Sequence, residues 1–416
     1  MRISTTQIFQ NGIDTLQRNQ QQLNRTQLQL STGKRILSPS DDPSGAVQSL
    51  QFRSGIEKIE QYQRNGTMLE QRLNFSETVL TSVADGLQRV RELALQGNNA
   101  TQTNETRGFI AGEIRQALDE LLQLANSRDA NGEYIFAGND SLTQPFAKTT
   151  DGVSFTGDAV QRSLQVSSVR RIQAGDSGER VFMDIPNGNG SFVVLDGKEN
   201  DDEVDDAKVN EGTGVVSSTA FSGEWPGNFT VEFDDVDGEL MYRIPDPENE
   251  GSFLLDPQRF QSGQPIVYAP EDGGFSIQFT IEGRPADGDS FRVVQAGGQD
   301  LFRTYSQLAD ALAQPVSGAS DQARLNNAVN RALVDLDQGL GRLLDVRASL
   351  GSRLQAVENQ NRINEDQLLQ LRSTLSEVED LDYAEAISRF NLQQTALQAA
   401  QQTYVQIQRL SLFNFL

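Results

Sequence analysis

The sequence lacks the side chains on which most familiar catalytic sites depend. Its 416 residues include no cysteine, no histidine and a single tryptophan. Disulfide bonds, thiolate nucleophiles, imidazole bases and metal sites built from histidine or cysteine are therefore excluded. The sequence contains no Walker loop and no dinucleotide fingerprint, and no carboxylate pair has a spacing typical of an acid and base. We expect no enzyme activity, no cofactor and no metal.

Long apolar runs are also missing. No segment approaches the roughly 20 consecutive apolar residues that cross a bilayer. Residues 1–16 lack the apolar core of a secretory signal peptide. We therefore expect no membrane insertion, and any export must use a route that needs no cleaved signal peptide.

Proline and charge are unevenly distributed along the chain. Residues 44–144 and 316–416 contain no proline, whereas eight of the 12 prolines lie between Pro186 and Pro285. Residues 184–250 hold 18 acidic and 3 basic residues, which account for most of the net charge of −23. The mildly basic ends carry bases too scattered to predict binding to nucleic acid. This composition predicts a separate acidic domain in the middle of the chain.

Apolar residues recur at helical spacing near both ends. They advance in steps of four and three, which is the period of a coiled-coil seam. The N-terminal stripe is Phe9, Ile13, Leu16, Leu23 and Leu30, with Gln20 and Gln27 in the same phase. The C-terminal stripe is Phe390, Leu397 and Tyr404, with Gln394, Gln401 and Gln408 in the same phase. We predict that the two stripes form an assembly seam between antiparallel terminal helices, with glutamines that keep the pair marginally stable. The alternative for these glutamines is that they face a water-filled channel of the assembly, where their amides are solvated.

A longer stripe keeps one phase from Val329 to Val378. A helix over this stretch is roughly 75 Å long at about 1.5 Å per residue, more than a compact core of this size covers. An ordinary helical bundle is the alternative for any single stripe, but matching stripes at both ends favour a chain that folds back on itself. The predicted fold is mainly α with a β insertion: a long antiparallel coiled-coil or helical-bundle rod from both chain ends plus a central antiparallel β domain.

The middle of the sequence has the pattern of β structure. Alternating runs such as Phe229–Phe233 and Phe275–Ile281 are separated by turn signals, among them Asp237–Gly238. This Asp-Gly turn lacks the first and last ligands of a calcium loop. The acidic run Glu199–Asp206 is more typical of a solvated loop than of a cation site.

These patterns together predict three domains. The boundaries are 1–43 and 380–416 for a terminal coiled-coil domain, 44–180 and 298–379 for a helical rod domain with a β-hairpin, and 181–297 for an acidic β domain.

Several motifs resemble one protein family. The segment LSTGKRILSPSDDP, which includes Gly33, Asp41, Asp42 and Pro43, resembles the N-terminal signature of bacterial flagellins. The segment NGEYIFAG, which includes Asn131, Gly132, Phe136 and Gly138, resembles more closely the hook-associated protein 3 family, which joins the flagellar hook to the filament. The final SLFNFL is similar to flagellin-type ends. The resemblance covers about the first 150 and the last 130 residues.

The resemblance implies a structural subunit of the bacterial flagellum that is exported unfolded through the flagellar type III apparatus. Its expected place is extracellular, in a ring at the hook–filament junction. Expected partners are further copies of the chain, hook-associated protein 1, flagellin and a cytoplasmic export chaperone that holds the C-terminal region. Two alternatives stay open: flagellin itself, or a surface adhesive or binding module on a coiled coil.

The apolar C-terminal tail is a candidate contact for that chaperone and, outside the cell, for a neighbouring subunit. Its apolar residues are Leu412, Phe413, Phe415 and Leu416. Such a cluster is too hydrophobic to remain exposed in either compartment.

Overall fold

The chain divides into two compact units. The computed structural model describes residues 5–150, 152–196, 210–246, 251–270 and 274–413. Unit 1 comprises Met1–Gly66, Val166–Arg170 and Asn359–Leu416, and unit 2 comprises Thr67–Gln165 and Arg171–Glu358. These two units do not coincide with the three predicted domains. The division into three domains stays a prediction. The acidic run Glu199–Asp206 lies outside the described residues.

Most of the described chain is helical. The α-helices are α1 (Thr5–Thr32), α2 (Pro43–Gly97), α3 (Asn104–Ala125), α4 (Leu301–Ala313), α5 (Ala319–Glu379) and α6 (Tyr383–Phe413). Helix α5 has 61 residues and contains the whole of the predicted long stripe. Local chemistry defines several helix starts: the Thr103 side chain and Thr106 form a capping box before α3, and the Asp300 side chain accepts a hydrogen bond from Arg303 N before α4.

Unit 2 has a helical core of apolar side chains from α2, α3, α4 and α5. Its fully buried members include Leu80, Leu87, Val90, Ile114, Leu308, Leu312, Leu336 and Leu343. Two glycines let these helices approach closely: a Cβ at Gly97 would lie 2.5 Å from Leu312 Cδ2, and one at Gly339 would lie 2.6 Å from Leu301 Cδ2. Each fully buried leucine contributes about 1.5–3 kcal/mol to folding, so this core is the main source of stability in the helical part of unit 2.

Between α3 and α4 the described chain is mainly β structure. The strands are β1 (Phe146–Thr149), β2 (Gly152–Phe155), β3 (Ser163–Gln165), β4 (Arg171–Gln173), β5 (Ile185–Pro186), β6 (Phe192–Asp196), β7 (Val215–Gly223), β8 (Phe229–Val236), β9 (Glu239–Pro245), β10 (Phe253–Arg259), β11 (Pro265–Tyr268), β12 (Phe275–Glu282), β13 (Ser290–Gln295) and β14 (Gly298–Gln299). The largest sheet has the order β10-β9-β8-β13-β6, and a second has the order β11-β12-β7. All pairings in these two sheets are antiparallel.

The strands β6–β13 enclose a core of their own, and we call this part the β domain. Alternate residues of β8 and β12 point into it, and Val231, Phe233 and Phe279 are completely buried. The Phe233 and Phe291 rings meet edge to face with centroids 5.8 Å apart. Asp237 and Gly238 both have positive φ in the two-residue turn between β8 and β9, as the sequence signal predicts. The predicted fold class, mainly α with a central antiparallel β insertion, is confirmed.

Two buried polar side chains of α5 bind the β domain and the segments that flank it. Asn327 accepts a hydrogen bond from Val216 N (2.8 Å) and donates one to Gly214 O (2.9 Å). Asp335 accepts hydrogen bonds from Gly188 N (2.7 Å) and Gln299 Nε2 (3.0 Å). Burial raises the pKa of Asp335 to about 6, although the two donors and the Arg331 charge oppose this shift.

The chain enters and leaves the β domain at one narrow place. Asn187 N donates to Gly297 O at 3.0 Å, and Gly297 N donates to the Asn187 side chain at 2.9 Å. Directly below this pair, β5 and β14 form a short antiparallel ladder. The two ends of the β domain are therefore close enough to be joined by a tight turn.

Excising residues 188–296 and linking Asn187 to Gly297 by a short Gly/Ser turn should leave the helical core of unit 2 folded. We expect a soluble protein with one cooperative thermal transition by circular dichroism. Excision of 186–283 is the matched control, because it leaves β13 without its partners β6 and β8 and exposes Phe291 and Val293. Equal soluble yields for the two variants would contradict this account.

Candidate assembly surface

The terminal helices α1 and α6 pack against each other in unit 1. A Cβ at Gly12 would lie 3.0 Å from Tyr404 Cδ2, and one at Gly33 would lie 2.9 Å from the Tyr383 hydroxyl. Residues early in α1 therefore meet residues late in α6, and the pair is antiparallel. Because Gly12 has no side chain, the Tyr404 ring lies directly against the backbone of α1.

The seam of this pair consists of small, polar and medium-sized apolar residues. Its partly or fully buried residues recur in steps of four and three. They are Gly12, Leu16, Asn19, Leu23, Thr26 and Leu30 on α1, and Ala386, Phe390, Gln393, Leu397, Ala400 and Tyr404 on α6. Among the described side chains of α1 and α6, only Thr26, Gln29 and Ala386 are fully buried. No large apolar side chain in this described part is fully buried, so the pair has little hydrophobic stabilisation of its own.

Only every second residue of each predicted stripe lies in this seam. The predicted residues that it contains are Leu16, Leu23, Leu30, Phe390, Leu397 and Tyr404. Ile13 is 41% exposed, and the side chains of Gln20, Gln27, Gln394 and Gln401 are exposed. The prediction that these glutamines lie in the seam of the single chain is wrong: Gly12, Ala386 and Ala400 permit a closer approach on the neighbouring face. The side chains of Phe9 and Gln408 lie outside the described residues.

The flagellin-like signature forms the loop between α1 and α2. Gly33 has φ +69° and its N–H bonds to Gln29 O at 2.9 Å, which ends α1. Asp41 accepts hydrogen bonds from Leu37 N (3.2 Å) and Ser38 N (3.1 Å). Asp42 accepts from Gly45 N (2.9 Å), and that bond holds the pKa of Asp42 below its usual range. Pro43 is the first residue of α2, where its missing N–H has no cost.

A carboxylate at the end of α5 binds three side chains from the other end of the chain. Glu379 accepts hydrogen bonds from Lys34 Nζ (2.7 Å), from Arg53 Nε (2.9 Å) and Arg53 Nη2 (2.7 Å), and from the Ser49 hydroxyl. The Glu379 side chain is 8% exposed. The Arg53 bonds, joined by those from Lys34 and Ser49, lower the pKa of Glu379 to about 2 against the opposing effect of burial. We call these four residues the Glu379 cluster.

Backbone hydrogen bonds complete this connection. Arg35 N donates to Glu379 O at 2.7 Å, and Leu381 N donates to Gly33 O at 2.9 Å, so that Lys34 and Asp380 form an isolated antiparallel bridge. The loop that follows α1 is thereby tied to the loop that precedes α6. The Glu379 cluster and this bridge set the point from which the terminal pair extends.

The second motif, Asn131–Gly138, folds around a nearly buried arginine of α2 in unit 2. Arg72 Nη1 lies 2.7 Å from Glu133 Oε2 and 3.2 Å from Asp129 Oδ2. Burial raises the pKa of Glu133, but the Arg72 and Arg162 guanidinium groups outweigh it and hold this pKa below its usual range. The Asp129 side chain also accepts hydrogen bonds from Asn131 N and Glu133 N.

The remaining residues of this motif shape and anchor its turn. Gly132 and Gly138 both have positive φ, and a Cβ at Gly138 would lie 2.0 Å from Asp158 O. Phe136 is 1% exposed and meets Phe182 edge to face at 5.1 Å. The motif therefore has a structural role in holding the turn on α2.

Neither charged centre could be predicted from the sequence. Glu379 and Arg72 follow no local motif, and their partners come from distant parts of the chain, so no spacing marks them. The role predicted for the C-terminal tail stays a prediction, because the side chains of Leu412 and Phe413, and all of Phe415 and Leu416, lie outside the described residues.

Other kinds of site find no support in the part of the chain that the structure describes. No described helix is long and apolar enough to cross a membrane. The same residues contain no group of three or more candidate metal ligands of the His, Cys, Asp or Glu type.

Known proteins are similar to this chain both at its helical ends and along its full length. The profile of the bacterial flagellin N-terminal helical region matches residues 3–141, and that of the C-terminal helical region matches residues 333–416. Flagellar hook-associated protein 3 of Escherichia coli is 25% identical over 414 residues, which is 99% of each chain. The chain belongs to the hook-associated protein 3 branch of the bacterial flagellin family.

Solved structures agree with this family assignment. A hook-associated protein 3 of Legionella pneumophila is 29% identical and superimposes with a TM-score of 0.71, covering 79% of this chain and 98% of that one. The flagellar junction protein FlgL of Legionella pneumophila is 28% identical with a TM-score of 0.68, covering 80% of this chain and 100% of that one. Relatives in this branch of the family are structural proteins of the flagellum.

Proposed function

We propose that this chain is a structural subunit of the bacterial flagellum that forms the junction between hook and filament. The observation that carries the proposal is similarity to hook-associated protein 3 along the whole chain, including the β domain. The flagellin profiles match only the helical ends, which both classes of protein share. The flagellin alternative and the adhesive-module alternative have no comparable support.

The terminal helices fold on assembly in this proposal. Isolated helices need tertiary partners to offset the entropy of ordering them. The seam of α1 and α6 buries no large apolar side chain completely among its described residues, so the pair is marginal in a single chain. Neighbouring subunits supply the missing contacts, and Ile13 and Ile387, which are 41% and 50% exposed, are available to meet them. Weakly ordered ends also suit export of an unfolded chain through the flagellar type III apparatus.

The proposed partners are further copies of this chain in a ring, hook-associated protein 1 on one side and flagellin on the other. In the cytoplasm an export chaperone binds the C-terminal region, with Leu412, Phe413, Phe415 and Leu416 as its proposed contact. The assembled protein is extracellular.

Immunogold labelling of sheared flagella tests the function directly. With an epitope inserted at the exposed β8–β9 turn, we expect gold confined to a single band at the hook–filament boundary. Gold along the filament would support flagellin instead, and labelled cell bodies with unlabelled flagella would support an adhesive module. A strain without the epitope controls for background labelling.

A further inference from the structure

Each subunit must recognise the next if the chain is a ring subunit, and the contact between them therefore rests on the proposed function. A closed ring of identical subunits uses a head-to-tail contact, in which one surface of a subunit meets a different surface of its neighbour. The chain must therefore carry two different surfaces that complement each other. Two exposed apolar sites with flanking charges of opposite sign meet this requirement.

The first surface lies on α3, and we call it the α3 face. Phe109 is 69% exposed, although phenylalanine is among the side chains most often buried. Glu105 and Glu113 lie one helical turn before and after it, on the same side of the helix, and both are exposed. Glu113 pairs with Arg89 at 2.7 Å, while Glu105 has no ion-pair partner among the described residues.

Two glycines leave open space beside Phe109. A Cβ added at Gly108 or Gly112 would meet no atom within 4 Å. Glycine is unfavourable inside a helix, and no close approach within this chain requires it at either position. The α3 face is thus an apolar ring beside a shallow depression, with carboxylates on both sides.

The second surface is the turn between β3 and β4, residues 166–171, which we call the hairpin tip. Val169 is 94% exposed at its end. The Ser167 hydroxyl accepts hydrogen bonds from Val169 N (3.4 Å) and Arg170 N (3.0 Å), and Val166 N bonds to Arg170 O at 3.0 Å. Arg170 and Arg171 are exposed, and neither has an acidic partner among the described residues. The tip therefore presents a valine and two guanidinium groups in an ordered turn.

We propose that the hairpin tip of one subunit docks on the α3 face of a second copy. Val169 packs against Phe109 in the space left by Gly108 and Gly112, and Arg170 and Arg171 pair with Glu105 and Glu113. Charge complementarity favours a second copy as the occupant. The tip carries two exposed guanidinium groups without acidic partners among the described residues, and the α3 face carries two exposed carboxylates, of which Glu113 already pairs with Arg89 and Glu105 has no ion-pair partner among those residues. The opposite charges also select the register of the contact and reject tip-to-tip pairing.

The absence of cysteine from the chain makes this contact directly testable. Phe109→Cys/Val169→Cys is expressed in the source bacterium in place of its own copy, and sheared flagella are oxidised and run on a non-reducing gel. A disulfide requires Cβ atoms about 4 Å apart, so only a true contact is captured. We expect a ladder of covalent multiples, because each subunit carries one cysteine for each neighbour. Either single-cysteine variant alone should stay monomeric.

The controls separate this contact from chance collisions. Leu344→Cys/Val169→Cys pairs the tip with another well-exposed apolar site of 60% exposure, and a ladder there would overturn the proposal. Dimers from Val169→Cys alone would also overturn it, since they would show tip-to-tip pairing. Absence of the ladder from the Phe109→Cys/Val169→Cys variant, in flagella whose epitope label still marks the junction, would overturn the docking contact and leave the proposed function intact.

Charge reversal provides a second measurement if the cysteine variants assemble poorly. Arg170→Glu/Arg171→Glu should reduce the number of filaments per cell at least tenfold. Adding Glu105→Arg/Glu113→Arg to the same chain should restore most of them, because the neighbouring charges again have opposite signs. Failure of this fourfold variant to recover filaments, although the protein is exported and stable, would overturn the proposal.

Discussion

Replacing Asn19 and Gln393 with leucine should turn the marginal α1–α6 pair into a stably folded one. Both residues are partly buried in the seam, and the Gln393 side-chain oxygen is buried without a hydrogen-bond partner. Each leucine should contribute roughly 1–1.5 kcal/mol, because the sites are only partly buried. The purified monomer should then gain helicity by circular dichroism and resist brief proteolysis at both ends. Its export should fall severalfold, since ordered ends must be unfolded before passage.

The next residue along each helix provides a matched control for this prediction. Gln20 and Gln394 are exposed, so Gln20→Leu/Gln394→Leu adds the same hydrophobicity without filling the seam. We expect an unchanged monomer spectrum and normal export, with any effect confined to the assembled structure. If the control gains as much helicity as the seam variant, the assignment of the seam is wrong.

Glu379→Gln should destabilise unit 1 while it preserves the shape of the side chain. The carboxylate is nearly buried and accepts hydrogen bonds from Lys34, Ser49 and Arg53. Loss of its charge therefore weakens every one of these bonds. Because Lys34 and Arg53 are about half exposed, solvent screens the ion pairs, and the expected loss is about 2 kcal/mol in the free energy of unfolding. Urea unfolding at pH 7, followed by hydrogen exchange in residues 34–53, measures it.

The same group gives the protein a defined acid sensitivity. The pKa of Glu379 is about 2 in the folded state and 4.5 when unperturbed, so the unfolded chain binds the proton more readily. This contribution to stability is complete above about pH 4.5 and is lost as the pH falls from there towards 2. Glu379→Gln should remove that part of the pH dependence.

Glu385→Gln is the control for both measurements. Glu385 also pairs with an arginine, Arg389 at 3.2 Å, but its side chain is 72% exposed. Loss of such a pair should change stability by less than about 0.5 kcal/mol. A control effect as large as that of Glu379→Gln would show that burial of the Glu379 cluster does not matter.

The long-range features of the fold could be predicted because they repeat along the chain. A stripe from Val329 to Val378 in one phase specifies a helix wherever its partners lie, and α5 contains all of it. The Asp237–Gly238 signal placed a hairpin turn correctly, because positive φ at both positions is a local property of these residues.

The phase of the terminal seam shows where such reasoning stops. Ile13 and Gln20 have the same helical spacing as Gly12 and Asn19, so periodicity alone does not decide which set faces the partner helix. The prediction took the set with Ile13, whereas in the single chain Gly12 and Asn19 lie in the seam. Close packing determines which residues face the partner helix, because the Tyr404 ring can lie against the backbone of α1 only where the residue is as small as Gly12.

By itself the sequence determined the helical ends and the antiparallel β insertion, since each depends on propensities and hydrophobic periods that act within a few residues. Only the tertiary structure decided the contacts of Glu379, Arg72 and Asp335. Their partners are separated from them by long stretches of chain, and the strength of each interaction comes from burial that no single segment encodes. The exposure of Phe109 and Val169 also follows from the tertiary structure, because it depends on where every other apolar side chain packs.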